Sequence, residues 1–158
     1  MKSHFSDKTI IGSGDVTDPA AAIEMIRRTG VDGVAVARAA IGNPWIFRQL
    51  EDLLAGREPR QPSLTAQRGV MAEHFARTVE LYGPKRGARR MRKFGIKYAR
   101  LHPTPKRVRA AFVAVKNPQD WHKVLETFYK EGQGQGEIAP TARPDTRQRV
   151  KAKEREEP

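Results

Sequence analysis

The chain has 158 residues, enough for one domain with a modest core or for two small ones. It holds 30 Lys and Arg against 18 Asp and Glu, a formal net charge of +12, so a polyanion is the first partner to consider. It has no cysteine, which excludes disulfides, thiolate metal sites and cysteine chemistry carried by the chain itself.

No apolar run approaches the roughly 20 residues needed to span a bilayer, and no charged-then-apolar leader is legible. No membrane partner and a cytoplasmic location are therefore expected. The charge is unevenly spread: residues 1–61 hold 8 basic and 8 acidic side chains, residues 62–131 hold 16 and 5, and residues 132–158 hold 6 and 5. The excess sits almost wholly in the middle segment.

In chain order, residues 9–12 predict a short buried strand, β-branched and stopped by glycine. Asp18 as N-cap, Pro19 at the first helical position and Gly30 past the end bracket "AAAIEMIRRT" as a helix, with Ala22, Ile23 and Ile26 on its apolar face. "GVAVA", residues 33–37, predicts a second strand, apolar throughout as where both sheet faces are covered. Asn43 then caps a further helix with Pro44 at its start and Trp45, Ile46, Leu50, Leu53 and Leu54 on its apolar side. The order β-α-β-α implies parallel strands with a right-handed crossover.

Two such units cannot close on themselves, so further strands must come from elsewhere. In a (β/α)8 barrel the last two strand-to-helix turns commonly form a phosphate site. Here those turns would be Ser13, Gly14 and Asp15 after one strand, and Ala37 and Arg38 after the next. Glycine lets backbone N–H groups approach phosphate oxygens, and arginine adds a forked, charged contact. On spacing alone a ligand-free turn fits as well as a phosphate site, and a surface salt bridge is the plainer role for Arg38. The Rossmann fingerprint fails, because Thr17 occupies its third glycine position.

From residue 63 to 131 the pattern changes to four amphipathic helices joined by short connections, which predicts a small antiparallel bundle. Their apolar stripes run through Leu64, Met71, Phe75, Val79 and Tyr82; Ala88, Met91, Phe94, Tyr98 and Leu101; Val108, Phe112 and Val115; and Trp121, Val124, Leu125 and Phe128. Gly83 with Pro84, His102 with Pro103, Thr104 with Pro105, and Asn117 with Pro118 punctuate them. The second helix is unusual. Between Lys85 and Arg109 there are eleven basic residues and no acidic one. Among them Lys85, Arg86, Arg89, Arg90, Lys93, Lys97 and Arg100 are the candidate nucleic-acid contacts; Arg86, Arg90, Lys93, Lys97 and Arg100 follow one another at helical spacing. Like charges at this spacing repel unless an anion relieves them, and a phosphodiester backbone would do so with release of counterions. A merely solvated face is the plain alternative. Membrane-surface binding fits less well, since the apolar stripe is needed for the bundle core. No zinc-finger or RNP signature is present.

His4, His74, His102 and His122 show no metal-ligand spacing, and His74 and His122 are expected to be packed or half-buried. Residues 132–158, rich in Gly, Pro and charge, predict a disordered tail.

With these residues in place, the chain resembles the C-terminal portion of a bacterial B-type tRNA-dihydrouridine synthase. "IIGSGDVTDPAAA", "TGVDGVAVARAAIGNPWIF" and "ELYGPKRGARRMRKFGIKY" match, in order, that family's strand-seven turn, strand-eight turn and RNA-binding helical domain. The resemblance implies residues 1–58 as the end of an FMN-binding TIM barrel, residues 63–131 as a helical tRNA-binding domain, and an activity that reduces uridine in tRNA with FMN and NADPH. Carried over by position, Ser13, Gly14, Asp15, Ala37 and Arg38 hold the FMN phosphate; Ala37 stands where the family usually has glycine. Lys97 and Tyr98 stand where it usually has Trp-Tyr. The family's catalytic cysteine has no counterpart here, and Met1 falls where the helix before strand seven is expected. The expectation is an incomplete barrel, its missing N-terminal half supplied elsewhere, and an isolated chain without activity. A non-catalytic RNA-binding module is the alternative. Another FMN- or phosphate-binding barrel would explain the turns but not residues 63–131.

Overall fold

The computed structural model describes residues 4–130. The expected tail over residues 132–158 lies outside them. The elements are β1 (Ile11–Ser13), α1 (Pro19–Thr29), β2 (Gly33–Ala35), α2 (Ile46–Leu54), α3 (Leu64–Tyr82), α4 (Pro84–Tyr98), a 3-10 turn (Ala99–Leu101), α5 (Pro105–Ala114) and α6 (Pro118–Phe128). The described part is thus mostly helical, with one small parallel sheet.

The strands pair in parallel, with Ile11 opposite Gly33, Gly12 opposite Val34 and Ser13 opposite Ala35. Both are shorter or later than the sequence suggests. Ile10 is bound to the turn before β2: its N–H donates to the Asp32 carboxylate at 2.8 Å, and its carbonyl accepts from the Asp32 N–H at 2.9 Å. β2 stops at Ala35, which leaves Ala37 in the following loop. Nor are both sheet faces covered among the described residues, for Ile11 is 57% exposed. α1 packs on β2 and on α2. It begins and ends as its caps dictate: Asp18 accepts from the Ala21 N–H at 2.9 Å, and the Gly30 N–H closes on the Ile26 carbonyl at 2.9 Å.

α2 departs from expectation. Asn43 does not cap it; the helix starts at Ile46 with no side-chain cap, and the Asn43 amide instead donates to Gln49 Oε1 at 2.9 Å. Leu54, expected on the apolar side, is exposed, and the buried face carries Ile46, Gln49 and Asp52.

Helices α3 to α6 share one hydrophobic core. Ser63 caps α3 and Asn117 caps α6, each accepting from the N–H three residues on. Proline opens α4, α5 and α6 at the first turn, where no N–H is missed. α5 and α6 are too short to persist alone, so packing must hold them. Trp121 supplies the centre: it stacks on Phe75 at 4.9 Å and tilts against Phe112 at 4.9 Å. Each such fully buried side chain contributes about 1.5–3 kcal/mol through its removal from water. The stripes fray at their ends, where Tyr82 is exposed, and α4 stops at Tyr98 rather than running to His102.

The space for that packing is tight at Gly95. A Cβ there would lie 2.4 Å from Phe112 Cδ1, so α4 and α5 meet through a missing side chain. At an open helical site Gly→Ala stabilises by roughly 0.5–1 kcal/mol. Gly95→Ala is expected to destabilise instead, by about 1–3 kcal/mol, because the ring must shift in a filled core. Urea unfolding followed by circular dichroism checks the sign.

His102 joins two helix ends. Its Nδ1 accepts from the Thr104 N–H at 3.0 Å, so its Nε2 carries the proton donated to the Phe128 carbonyl at 2.8 Å. Burial holds its pKa below the ordinary value, and burial lowers that of His74, which is half-buried against Phe94 at 4.8 Å. His122, by contrast, is exposed, touching Phe75 only with its ring. For both lowered histidines the unfolded chain binds the proton more readily than the folded one. Stability is therefore fully present above a pH of about 6.5 and falls as pH drops through that value toward the folded-state pKa. Melting temperatures between pH 7.5 and 5 should decline, and His102→Ala should flatten the decline while lowering the plateau.

Candidate functional site

The parallel register decides where the two candidate turns meet. With Ser13 opposite Ala35, the chain leaves both strands at the same end, so Gly14 and Asp15 lie beside the loop of Val36, Ala37 and Arg38. Gly14 takes φ 105° and Asp15 φ 49°, both in the left-handed region that favours glycine. The turn is sharp, and Asp15 holds a conformation unusual for a residue with a side chain. Nothing lies within 4 Å of a Cβ built at Gly14, so the space above the turn is open. Ser13, Gly14, Asp15, Ala37 and Arg38 are all exposed. Among the described residues Arg38 makes no ion pair, so the plain role as a surface salt bridge finds no partner there.

The basic helix is equally open. Lys85, Arg86, Arg89, Arg90, Lys93 and Lys97 are exposed, and among the described residues none of them pairs with a carboxylate. Their company is aromatic: the Arg90 guanidinium lies 4.1 Å from the Tyr82 ring centre, and the Lys93 ammonium 5.1 Å from that of Phe94. An aromatic face attracts the cation yet leaves its donors free. Arg100 differs from the rest. It sits in the 3-10 turn, where its Nη2 donates to the Ile41 carbonyl at 3.1 Å and its Nε to the Lys97 carbonyl at 3.3 Å. No group of three or more His, Asp or Glu able to hold a metal ion occurs among the described residues. Nor, among them, is any helix long and apolar enough to cross a membrane.

A polar network between α2 and α3 was not legible beforehand. Asp52, with no exposed side-chain surface, accepts from Arg57 Nη2 at 3.0 Å, from the Arg60 guanidinium at 3.0 Å and from the Arg60 N–H at 3.2 Å. Arg60 above all, and Arg57, hold its carboxyl well below the usual carboxylate range against the opposing effect of burial. Gln49 adds bonds to the Arg60 carbonyl and to Gln61, and Gln67 holds the carbonyls of Pro62 and Leu101. The connection over residues 57–62 is thereby pinned to both sides. It borders an open cleft of about 690 Å³ whose walls include Asp18, Gly42, Asn43, Glu58, Gln61 and Arg100. The sequence signal was thin: an aspartate followed five and eight residues later by arginines.

The family model for dihydrouridine synthase (Dus) matches residues 1–133. The chain belongs to the dihydrouridine synthase family. It is 35% identical over 123 residues to tRNA-dihydrouridine synthase B of Pseudomonas putida, covering 77% of this chain and 36% of that protein. It is 32% identical to the protein of the same name from Proteus vulgaris and 31% identical to that of Escherichia coli K12, each over 122 residues, 77% of this chain and 38% of the relative. The chain thus spans less than two-fifths of the length of these B-type relatives. The matched region takes in both strand-end turns and the basic helix of this chain.

Replacing Asp52 by alanine removes the common acceptor of both arginines and the Arg60 N–H. Limited trypsinolysis should then cut after Arg57 and Arg60 much faster than in the unaltered chain, while cleavage within the helical core stays slow. Because the carboxyl is held so low, the protection should persist in the unaltered chain through mildly acidic pH.

Proposed function

We propose that this chain is the C-terminal portion of a tRNA-dihydrouridine synthase, with the end of an FMN-binding barrel over residues 1–58 and a tRNA-binding helical domain over residues 63–131. The observation that carries the reading is the parallel register. It sets two open turns side by side at one strand end, in a chain whose next part presents an acid-free row of exposed cations.

The residues present fit the phosphate end of FMN. Ser13, Gly14 and Asp15 form a sharp turn with open space above it, Ala37 at the neighbouring strand end is small and exposed, and Arg38 has its guanidinium to spare. Bound there, FMN would supply the hydride that reduces the uracil ring, with NADPH as the reductant. The chain's own residues hold the phosphate: backbone N–H groups of the turn donate to its oxygens, and Arg38 adds charge. Nothing in the chain supplies the catalytic cysteine that the family resemblance implies. Strands covering the flavin ring would have to pair with the open sheet beside β1 and β2. A cytoplasmic setting, where tRNA is modified, goes with this reading. A non-catalytic RNA-binding module is the second reading, favoured by the exposed row of cations on α4, which lies wholly within residues 63–131; an in-frame upstream barrel with a cysteine in the gene decides against it.

Lys85, Arg86, Arg89, Arg90, Lys93 and Lys97 bind the RNA backbone. Affinity for tRNA should fall steeply with salt, each phosphate contact adding about 0.7–0.9 to the slope of log affinity against log salt. Reversing Arg90, Lys93 and Lys97 to glutamate should lower that slope by about 2–3 and weaken binding at low salt. Unchanged low-salt affinity sinks the ridge as the RNA surface. Purified by itself, the 158-residue chain should be colourless, and a flavin absorbance spectrum would overturn the need for further strands.

A further inference from the structure

Arg100 continues the spacing of the basic row on paper, yet the helix does not carry it there. α4 ends at Tyr98, and Arg100 sits in the 3-10 turn over Ala99–Leu101, which winds more tightly than an α-helix. Its guanidinium reaches instead to the loop after β2, donating to the Ile41 carbonyl at 3.1 Å. The same loop meets the same helix end at a second point. Gly42 is buried with φ 84°, and a Cβ there would fall 2.5 Å from the Lys97 carbonyl carbon and 2.7 Å from the Tyr98 nitrogen. Both neighbours are backbone, so neither can step aside. A third point follows three residues on, where Trp45 packs against the helical core.

We infer that Arg100 and Gly42 are positioning residues of a rigid joint, which sets the angle between the strand-end turns and the RNA-binding face of α4, and that Arg100 is not itself a phosphate ligand. The inference rests on the reading of that face as an RNA surface only for its consequence: the angle decides which nucleotide of a bound RNA reaches the turns. The joint itself stands on contacts alone. The loop that ends at Trp45 begins at Ala37 and Arg38, so whatever fixes Ile41 and Gly42 on α4 also fixes the second turn relative to the cations. Three fastenings within five residues leave that segment little freedom to swing.

Two measurements separate a fastener from a phosphate ligand. The chain has no native cysteine, so spin labels can be placed at Arg27→Cys on α1 and Gln119→Cys on α6, both exposed. Pulsed electron resonance should give a narrow distance distribution in the otherwise unaltered chain. Arg100→Ala and Gly42→Ala should broaden it with helical content retained, and Arg100→Lys, which can still donate to the Ile41 carbonyl, should restore much of the narrow distribution. In parallel, Arg100→Ala should leave the salt slope of tRNA binding unchanged, whereas Arg90→Ala lowers it by about 1. An unbroadened distance in both variants, or a slope lowered by Arg100→Ala as much as by Arg90→Ala, overturns the inference. If the unaltered chain shows no salt-dependent tRNA binding, the RNA reading fails by itself, and the distance measurement alone decides the joint.

Discussion

A parallel pair of strands brings two chain exits to one end, and this constraint governs the α/β part of the protein. Antiparallel neighbours would send the turns after Ser13 and after Ala35 to opposite ends, where no single ligand could touch both. The crossover needed to run parallel is α1, whose boundaries are set by Asp18, Pro19 and Gly30. Among the described residues the same pairing leaves the two-stranded sheet open. Ile11 stands more than half exposed, a cost that a two-stranded ribbon cannot remove within its own length.

The helical part solves a different problem. An acid-free run of cations repels itself, and helix propensity is a weak counterweight. α4 holds because its other face is sunk in the shared core: Ala88, Met91 and Tyr98 are buried, and Gly95 lets Phe112 close against it. The aromatic rings of Tyr82 and Phe94 lie under two of the cations and lessen their exposure without neutralising them. Positive potential thus survives folding on a rigid surface, which suits a polyanion better than a flexible basic tail would.

Between the parts, charge is handled in the opposite way. Asp52 is buried and its two arginines are largely exposed, so one carboxylate organises the connection while solvent screens the cations. Removing one member of such a set costs more than the pair is worth against an apolar alternative, which makes it a device for a defined conformation more than for stability. It explains how a connection without regular structure keeps the cleft between α1, α2 and the 3-10 turn shaped.

Caps and proline positions were legible because their chemistry is local. Asp18, Ser63 and Asn117 each bond an N–H three residues away, a contact set by the local chain. Asn43 looked the same and failed, since Gln49 captured its amide from the next turn. The exposure of Leu54 and the burial of Asp52 were hidden for a related reason: the partners lie on a connection with no periodicity to read. Arg100 keeps its place in the pattern of charges, yet its guanidinium donates to the Ile41 carbonyl, a contact that residue spacing does not show.

By itself, then, the order of residues determined which elements follow one another, those helix starts that a local cap fixes, the segregation of charge and the two candidate turns, all of which follow from bonds and periodicities within a few positions. Only the tertiary structure decided which polar groups meet. That Ser13 lies opposite Ala35, that Gly42 abuts the backbone of Lys97, and that Asp52 gathers Arg57 and Arg60 depends on how separate segments are brought together, and side-chain hydrogen bonds are indifferent to distance along the chain.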